Sequence, residues 1–497
     1  MKNEKNTIET SFFETTNEMI EQVFNIDKLP INQFALFSKA DEKVTYIQSR
    51  ELEDGKKITP LQTPYLIENK VVLLPAYASF YADDKELVGL IKTFLHKYLD
   101  IHPFYENLVA HYILMTWVYD KLSVVPYLRA LGDFGTGKTR FIQTVGALCY
   151  KPMFLAGATS DAYLFRVIEL FSGTLVINEF ERVNSELQSQ ITIILNNGYE
   201  KGMPVGRVEG ERNREPRTFN VFCPKIFSTR KRFKDNALES RIISIPMRHT
   251  KRKDIPPFLD DVFWKEAQDI RNKLLYYRFK NLSIYIGIEE ENKRKERLLQ
   301  LVEPRLRQTL LPILYVITDS ELEQNFMDFA KEYQEQLVDA RGLELPGLVF
   351  QKLYEINSNQ EGKVTVKEVT DAANKEIEKE AYKLTSQKVG KIIREELGFK
   401  THKGTGGVYF IYVNQKQLEY LVSRYGNESP LTPLSPLSDS DSKEDSGDLV
   451  DSKKPISEDF DIYEKKVESI GDSTTQEQIN IDRNLANQGF DFNKNDV

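Results

Sequence analysis

The stretch Tyr127–Gly146, with the sequence YLRALGDFGTGKTRFIQTVG, decides the fold expected for the rest of the chain. It contains the spacing G-x-x-x-x-G-K-[ST]. The fixed positions of this motif are Gly132, Gly137, Lys138 and Thr139. The apolar run Val124–Leu131 before it predicts a buried strand, and Lys138–Leu148 predicts a helix. This context indicates a phosphate-binding loop; the alternative is a chance glycine turn.

The residue types of this loop suit the triphosphate of ATP. Glycines allow the backbone to turn tightly and to direct N–H groups at phosphate oxygens, and the helix that follows adds a partial positive charge. Lys138 is expected to bridge the β- and γ-phosphates, and the Thr139 hydroxyl to hold Mg²⁺. The predicted nucleotide-binding residues are Gly132, Asp133, Phe134, Gly135, Thr136, Gly137, Lys138 and Thr139.

Composition limits the other classes of protein. With 497 residues the chain has room for two to four domains. Its two cysteines, Cys149 and Cys223, provide neither a disulfide framework nor a metal-ligand cluster, which favours a reducing, cytoplasmic location. The polar N-terminus does not resemble a signal peptide, and no apolar run of 18 residues predicts a membrane span.

The net charge of −8 is unevenly distributed. From position 427 onward, 17 acidic and 7 basic residues give a net charge of −10, so the remaining chain carries +2. Residues 427–497 are rich in Ser, Pro and Asp and predict a disordered acidic tail. Its scattered aromatic residues are candidates for binding a primase or another replication partner.

Two helices are predicted before the loop, at Asp84–Leu99 and Pro103–Leu122. They are expected either to cover the nucleotide base or only to pack. After the loop, the strand Thr174–Ile177 ends in Asn178 and Glu179, the position at which an acid meets metal and attacking water. We expect Asn178 to bind the metal through water and Glu179 to act as the general base. The alternative is a strand that ends in surface acids.

A basic hairpin is predicted at Tyr199–Phe219. Its basic residues include Lys201, Arg207 and Arg212. The functional interpretation is a loop that grips nucleic-acid phosphates. The alternative is a solvated turn whose arginines pair with neighbouring acids. These acids are Glu209, Glu211 and Glu215.

Two further segments predict groups that act on the γ-phosphate. The strand Pro224–Phe227 is followed by Ser228 and Thr229. Thr229 is predicted to position the attacking water. The alternative is that the two hydroxyls only cap a turn. Arg241 stands between a short helix and a final strand, where an arginine can reach a neighbouring subunit's γ-phosphate. Its alternative role is an ion pair with Glu239 or another carboxylate.

In this order, the loop, the acidic strand, the polar strand end and Ser240-Arg241 resemble an AAA+ ATPase domain over residues 124–247. The patterns GTLVINEFE, CPKIFSTR and ALESRIISIPMR are similar to replicative helicases of viruses, phages and plasmids. Asn178 departs from the family pattern, in which Asp is usual. The resemblance implies a homo-oligomeric ring, expected to be a hexamer, with nucleotide at subunit interfaces. It also implies a helical lid with a second sensor arginine, Arg305 or alternatively Arg307, unless both lie on a solvated helix.

Residues 345–413 carry the pattern of a winged helix, which is three helices and a terminal hairpin. Such modules resemble DNA readers, although some bind proteins. The predicted DNA-binding residues of this module are Lys388, Lys391, Arg394 and Lys403.

The sequence therefore predicts an α/β fold: a P-loop AAA+ domain with a parallel sheet, a helical lid, a C-terminal winged-helix domain and a disordered tail. The expected boundaries are 1–82 for a small β-rich region, 83–250 for the ATPase, 251–340 for the lid, 341–426 for the winged helix and 427–497 for the tail. The expected function is an ATP-driven motor on DNA, a replicative helicase or remodelling ATPase of a mobile element or virus. The alternative is an ATP-dependent DNA-binding switch, such as an initiator, regulator or defence protein, without unwinding activity.

Overall fold

The structure is a computed structural model that describes residues 7–26, 30–155, 159–178, 180, 185–209, 215–233, 235–282, 289–342, 345–359, 363–377, 383–404 and 407–426. The predicted tail, 427–497, lies outside these residues. Among the described residues, no helix is both long and apolar enough to cross a bilayer.

The N-terminal part is built from two small sheets. The strands are β1 Thr7–Thr10, β2 Phe12–Glu14, β3 Glu18–Phe24, β4 Asn32–Ser38, β5 Lys43–Ile47, β6 Arg50–Glu51 and β7 Lys57–Pro60. Strands β2 to β5 form an antiparallel meander, whereas β1, β7 and β6 form a separate mixed sheet. These strands lie within the region 1–82 that was expected to be β-rich, and the boundary of that region stays a prediction.

Three helices lead into the central domain, α1 Pro64–Glu68, α2 Asp84–Tyr98 and α3 Pro103–Thr116. Helix α2 begins where the Asp83 side chain accepts a hydrogen bond from the Glu86 N–H, and it buries its apolar stripe. Helix α3 is shorter than predicted, because the chain turns at Trp117 into a 3₁₀ turn at Tyr119–Lys121.

The central domain alternates strands and helices around one parallel sheet. Its elements are β8 Tyr127–Leu131, α4 Lys138–Gly146, β9 Met153–Leu155, α5 Asp161–Phe171, β10 Leu175–Ile177, α6 Ser185–Asn197, β11 Val205–Glu209, β12 Glu215–Phe219, β13 Lys225–Thr229, α7 Asn236–Glu239 and β14 Ile242–Pro246. The sheet order is β14-β8-β13-β10-β9, and all neighbouring strands are parallel. Strand β13 therefore separates the loop strand β8 from the acidic strand β10, while β11 and β12 form a separate antiparallel hairpin.

Four helices follow, α8 Asp261–Asn281, α9 Glu289–Leu298, α10 Pro304–Tyr315 and α11 Ser320–Gly342. The segment Glu290–Ile317 is divided between two of these helices, α9 and α10. The structure has two helices there because Pro304, which lacks a backbone N–H, occupies the first turn of α10.

The C-terminal part contains α12 Leu345–Asn359, α13 Val366–Lys375, α14 Ser386–Glu395, β15 Lys400–Lys403, β16 Tyr409–Tyr412 and α15 Gln415–Tyr425. Thr365 and Glu368 form a capping box at α13, and the Thr385 side chain caps α14. Thr365 also forms a single bridge with Phe410. Helix α15, which packs on α11 and α12, was not predicted.

A buried ion network joins the N-terminal sheet to the central domain. Arg278 of α8 donates from Nε to Glu21 of β3 at 2.5 Å and pairs with Asp120 at 2.9 Å. Lys151 pairs with the same Glu21 at 2.8 Å. Arg278, Lys151 and Glu21 are all at most 1% exposed. The apolar core is likewise continuous from Met19 of β3 to Tyr333 of α11.

Candidate nucleotide-binding site

The glycine-rich loop lies at the carboxyl end of β8. Gly135 and Gly137 adopt φ values of 73° and 85°, the left-handed region that glycine tolerates. Gly132 is constrained differently, because a Cβ atom there would lie 2.5 Å from the Met247 carbonyl oxygen. Helix α4 starts at Lys138, whose ammonium donates to the Asp133 carbonyl inside the loop. The loop thus has the conformation and the cation that phosphate binding requires.

Two neutral oxygen groups lie close together beside the loop. The Thr139 Oγ1 atom donates to Oδ1 of Asn178, at the end of β10, over 3.3 Å. Mg²⁺ prefers oxygen ligands and keeps waters and phosphates among them, so a hydroxyl and an amide oxygen at this distance fit it. The pair supplies no negative charge of its own. Glu179, the predicted general base, lies outside the described residues.

Strand β13 brings Thr229 to the same edge of the sheet. Thr229 is opposite Leu131 of β8 in the register, and its carbonyl accepts from the Gly132 N–H at 3.3 Å. The Thr229 hydroxyl is buried and has no hydrogen-bond partner within the described part of the chain. It is therefore a polar group at the loop that can still accept or donate a hydrogen bond.

A cavity of about 230 Å³ adjoins the loop. It is bounded by residues 135–137 of the loop, by Tyr98, Leu99 and Asp100 at the end of α2, and by the segment 247–257. The end of α2 is thus beside the loop. This position is compatible with the expectation that the helix covers the nucleotide base. Burial lowers the pKa of the Arg248 guanidinium at the cavity wall.

The segment 247–257 is a part of the site that the sequence did not reveal. Arg140 of α4 donates to the carbonyls of Pro256 and Pro257 at 2.7 and 2.5 Å. Arg252 donates to the carbonyls of His96 and Leu99 at 2.8 and 3.0 Å. These four contacts fix the segment between α2 and the loop helix. These contacts could not be found from the sequence, because an arginine that binds backbone carbonyl oxygens has no characteristic motif or spacing.

Arg241 belongs to a second cluster, away from the loop. Its Nη1 donates to Asn196 Oδ1 at 2.9 Å, and its guanidinium lies 5.6 Å from the Tyr199 ring centroid. Arg305 of α10 donates from Nε to Ser240 Oγ at 3.1 Å and lies 4.9 Å from the same ring. Burial raises the pKa of Tyr199, although the two guanidinium groups act against this rise. The structure therefore brings Arg305 together with Arg241.

This cluster lies at the opposite end of the sheet from the loop. Arg241 immediately precedes β14, whose first residue, Ile242, is level with Tyr127 at the start of β8. The loop begins after Leu131, which is level with Pro246. Arg241 and Arg305 consequently face away from the loop of their own chain.

Glu239 is not the partner of Arg241. It accepts hydrogen bonds from both Nη atoms of the fully buried Arg129 and from the Phe233 N–H at 3.0 Å. Because Glu239 is held both by Arg129 of β8 and by the backbone N–H of Phe233, the residues after it, Ser240 and Arg241, have a fixed position at the start of β14.

The basic hairpin is partly engaged with its own chain. Arg207 pairs with Asp161 of α5 at 3.0 Å and stacks on Phe165, and Arg217 pairs with Glu169 at 2.7 Å. Lys201 is exposed and donates to the Asp120 carbonyl. Arg212, Glu211 and the side chains of Glu209 and Glu215 lie outside the described part.

Helix α14 presents a basic face. Lys388, Lys391 and Arg394 are exposed, whereas Val389 and Ile393 on the opposite side are buried. The hairpin is adjacent to this face, because Arg394 donates to Thr401 of β15 at 3.4 Å. Lys403 is exposed at the end of β15. The only acid that pairs with these four cations within the described residues is Glu395, 3.7 Å from Lys391.

The loop and the five-stranded parallel sheet belong to a mixed α/β fold, with the Thr139–Asn178 pair beside the loop. No known family profile matches the chain, and no curated protein is similar to it. Among solved structures, it is similar to the C-terminal region of NrS-1, residues 305–718, with 13% identity over 79% of this chain and 96% of that one at a TM-score of 0.34.

Two other similar structures are described as helicases. One is the "active helicase" Cch of SCCmec type IV, with 10% identity over 83% of this chain and 80% of that one at a TM-score of 0.39. The other is JCV helicase, with 14% identity over 52% of this chain and 64% of that one at a TM-score of 0.22. These identities and TM-scores do not assign an activity to this chain.

Proposed function

We propose that the protein is an ATP-hydrolysing AAA+ motor that acts on DNA. The observation that carries this proposal is the contact between Thr139 of the loop helix and Asn178 of β10, with Thr229 on the strand between them. The three groups come from separate parts of the sequence and meet where the terminal phosphates of a loop-bound nucleotide would lie.

The residues have distinct roles in this proposal. Lys138 leaves the Asp133 carbonyl and binds the β- and γ-phosphates, while the loop N–H groups bind the phosphate oxygens. Thr139 and Asn178 hold Mg²⁺, which would neutralise charge on the phosphates. Glu179 polarises the attacking water and Thr229 orients it. The cavity beside the loop accepts the base or the ribose.

A ring of identical subunits completes the site. Arg241 and Arg305 lie at the end of the sheet opposite to their own loop, so we assign both to the nucleotide of a neighbouring subunit. We infer a homo-oligomer, expected to be a hexamer, with Arg241 as the finger that stabilises charge in the transition state.

DNA is the proposed macromolecular partner. The exposed cations of α14 and Lys403 suit the phosphates of duplex DNA if helices α12 to α14 and the hairpin act as a winged helix. The β11–β12 hairpin is a second candidate contact through Lys201 and Arg212. Arg207 can contribute only by exchanging its ion pair with Asp161 for a phosphate.

The alternative is an ATP-dependent DNA-binding switch without unwinding activity. Asn178 favours this alternative. An amide lacks the negative charge that the usual Asp brings to the metal, so hydrolysis should be slow, and slow hydrolysis suits a switch.

ATP turnover with and without single-stranded DNA, combined with a strand-displacement assay, tests the proposal. A motor should show turnover that DNA stimulates and should displace a strand. The Lys138→Ala variant should lose turnover, since it removes the loop's cation, while Lys416→Ala on α15 is a matched control that should keep it. Turnover in Lys138→Ala equal to that of the parent would refute the nucleotide site. Turnover in the parent without strand displacement would favour the switch.

A further inference from the structure

The β15–β16 hairpin has an outer face that the proposed function does not use. Successive side chains of a strand point to opposite faces, and residues directly opposite each other in a strand pair share a face. Ile411 is 4% exposed, and Thr401, directly opposite, accepts a hydrogen bond from Arg394 of α14, so these two residues mark the inner face. The pairs on either side of them form the outer face. These pairs are Lys400–Tyr412 and His402–Phe410.

The outer face presents aromatic rings to solvent. The Tyr412 side chain is 66% exposed, although the preceding residue of the same strand is buried. The Phe410 ring is stacked on the exposed His402 imidazole, with 5.4 Å between the ring centroids and 22° between the planes. Single exposed apolar residues are ordinary on a protein surface, whereas several rings grouped on one face indicate a binding surface.

A glycine fixes the position of the Phe410 ring. A Cβ atom at Gly404 would lie 2.5 Å from Cε2 of this ring, so the ring covers the glycine directly. The Gly404 N–H donates to the Val408 carbonyl at 2.8 Å and continues the pairing of the two strands. Phe410 also forms a bridge with Thr365 on the other side of β16. The face is therefore ordered before a ligand binds, which lowers the entropy cost of binding.

The charge of the hairpin indicates which ligand suits these rings. From Lys400 to Tyr412 the sequence contains two lysines and one histidine, and it contains no aspartate or glutamate. Lys400 is exposed directly opposite Tyr412 and forms no hydrogen bond or ion pair with the described part of the chain. A cation beside an exposed ring suits a nucleic-acid strand, because the cation binds a phosphate while the ring stacks on a base.

We propose that the outer face of the hairpin binds unpaired bases of single-stranded DNA, with Tyr412 stacked on a base and Lys400 at a phosphate. An unpaired base is required, since the bases of a duplex already stack on one another. The basic face of α14 adjoins the inner side of the same hairpin, so the single strand would lie next to the duplex. The proposal rests on the function proposed above, because it presumes DNA as the partner. The competing explanation is a surface that binds another protein.

Titration of the full-length protein with two forked DNAs, followed by fluorescence anisotropy, tests this assignment. One fork has a single-stranded arm of thymidines, and the other has the same arm with abasic sugars, which keeps the phosphates and removes the bases. Tyr412→Leu keeps an apolar side chain without the π face. It should bind the thymidine fork at least about fivefold more weakly than the parent, the lower end of what one stacked base contributes. On the abasic fork, the variant and the parent should bind equally.

Three further variants serve as controls. Tyr412→Phe keeps the ring and should bind both forks like the parent. Lys400→Ala should weaken binding to both forks by a similar factor and flatten the salt dependence, because both arms carry the phosphate. Tyr420→Leu removes a 53% exposed tyrosine of α15 and should leave both affinities unchanged. Unchanged thermal unfolding shows that each variant is folded.

The outcomes separate this inference from the function on which it rests. If Tyr412→Leu binds both forks like the parent, or loses affinity for both equally, no base stacks on this face, whereas DNA remains the partner of the protein. If the parent protein binds neither fork, DNA as the partner is refuted and this inference falls with it.

Discussion

Arg241→Ala should leave ATP binding intact and remove most turnover, because Arg241 cannot reach the nucleotide of its own chain. From Ile242 to Pro246, β14 advances by four residues, or about 13 Å at roughly 3.3 Å per residue. An extended arginine side chain covers roughly 6 Å at ordinary bond lengths. The guanidinium therefore falls short of the loop by about half the distance.

The expected loss follows from the charge that an arginine finger stabilises. Such fingers contribute roughly 10³-fold or more to turnover, which corresponds to about 4 kcal/mol of transition-state stabilisation. Steady-state turnover and titration with a non-hydrolysable ATP analogue measure the two quantities separately. Arg305→Ala should resemble Arg241→Ala, since Arg305 occupies the same end of the sheet. Arg307→Ala is the matched control from the same helix and should retain turnover.

Mixing variants shows whether Arg241 acts between subunits. Arg241→Ala and Lys138→Ala should each lose most turnover alone, whereas mixed rings would contain interfaces that join an intact loop to an intact finger. Turnover should therefore partly return on mixing. If mixed assemblies form but remain inactive, one of two conclusions follows. Either Arg241 acts in the site of its own subunit, or turnover needs every interface to be intact. A monomer with full turnover at every concentration would refute the ring.

Three further predictions concern the metal edge, DNA and stability. Asn178→Asp adds the usual charge beside Thr139 and should raise turnover or leave it unchanged; a large loss would mean that the amide itself is required. Neutralising the exposed cations of α14 together should weaken duplex binding and flatten its dependence on salt, as measured by titration at several salt concentrations, whereas an unchanged salt slope would assign this face to protein contacts. These cations are Lys388, Lys391 and Arg394. Arg278→Met should lower the free energy of unfolding in urea by about 3–5 kcal/mol, because it leaves buried carboxylates without their partner. The exposed pair of Arg294 provides the control, since Arg294→Met should cost less than about 1 kcal/mol, and equal losses in the two variants would contradict the argument.

The sequence was most informative where a local pattern carries the chemistry. The residues on either side of the loop predicted both the strand before it and the helix that begins at Lys138.

Contacts between distant residues were not predictable in the same way. Glu239 was considered as a partner for Arg241 because the two are close in sequence, but the buried Arg129 of β8 occupies it. Asn196 and Tyr199, which do contact Arg241, lie more than forty residues away in the chain. Such pairings depend on how elements pack, and one sequence contains no periodicity that encodes them.

The buried network around Glu21 also limits how the gene can be rearranged. A recombinant that exchanged the N-terminal sheet for an unrelated one would leave Arg278 and Lys151 as uncompensated cations in an apolar interior. A truncated chain that began near the loop would have the same defect. A viable chimera must therefore keep the N-terminal sheet with the central domain and join its parents outside this pairing, for example between α11 and α12.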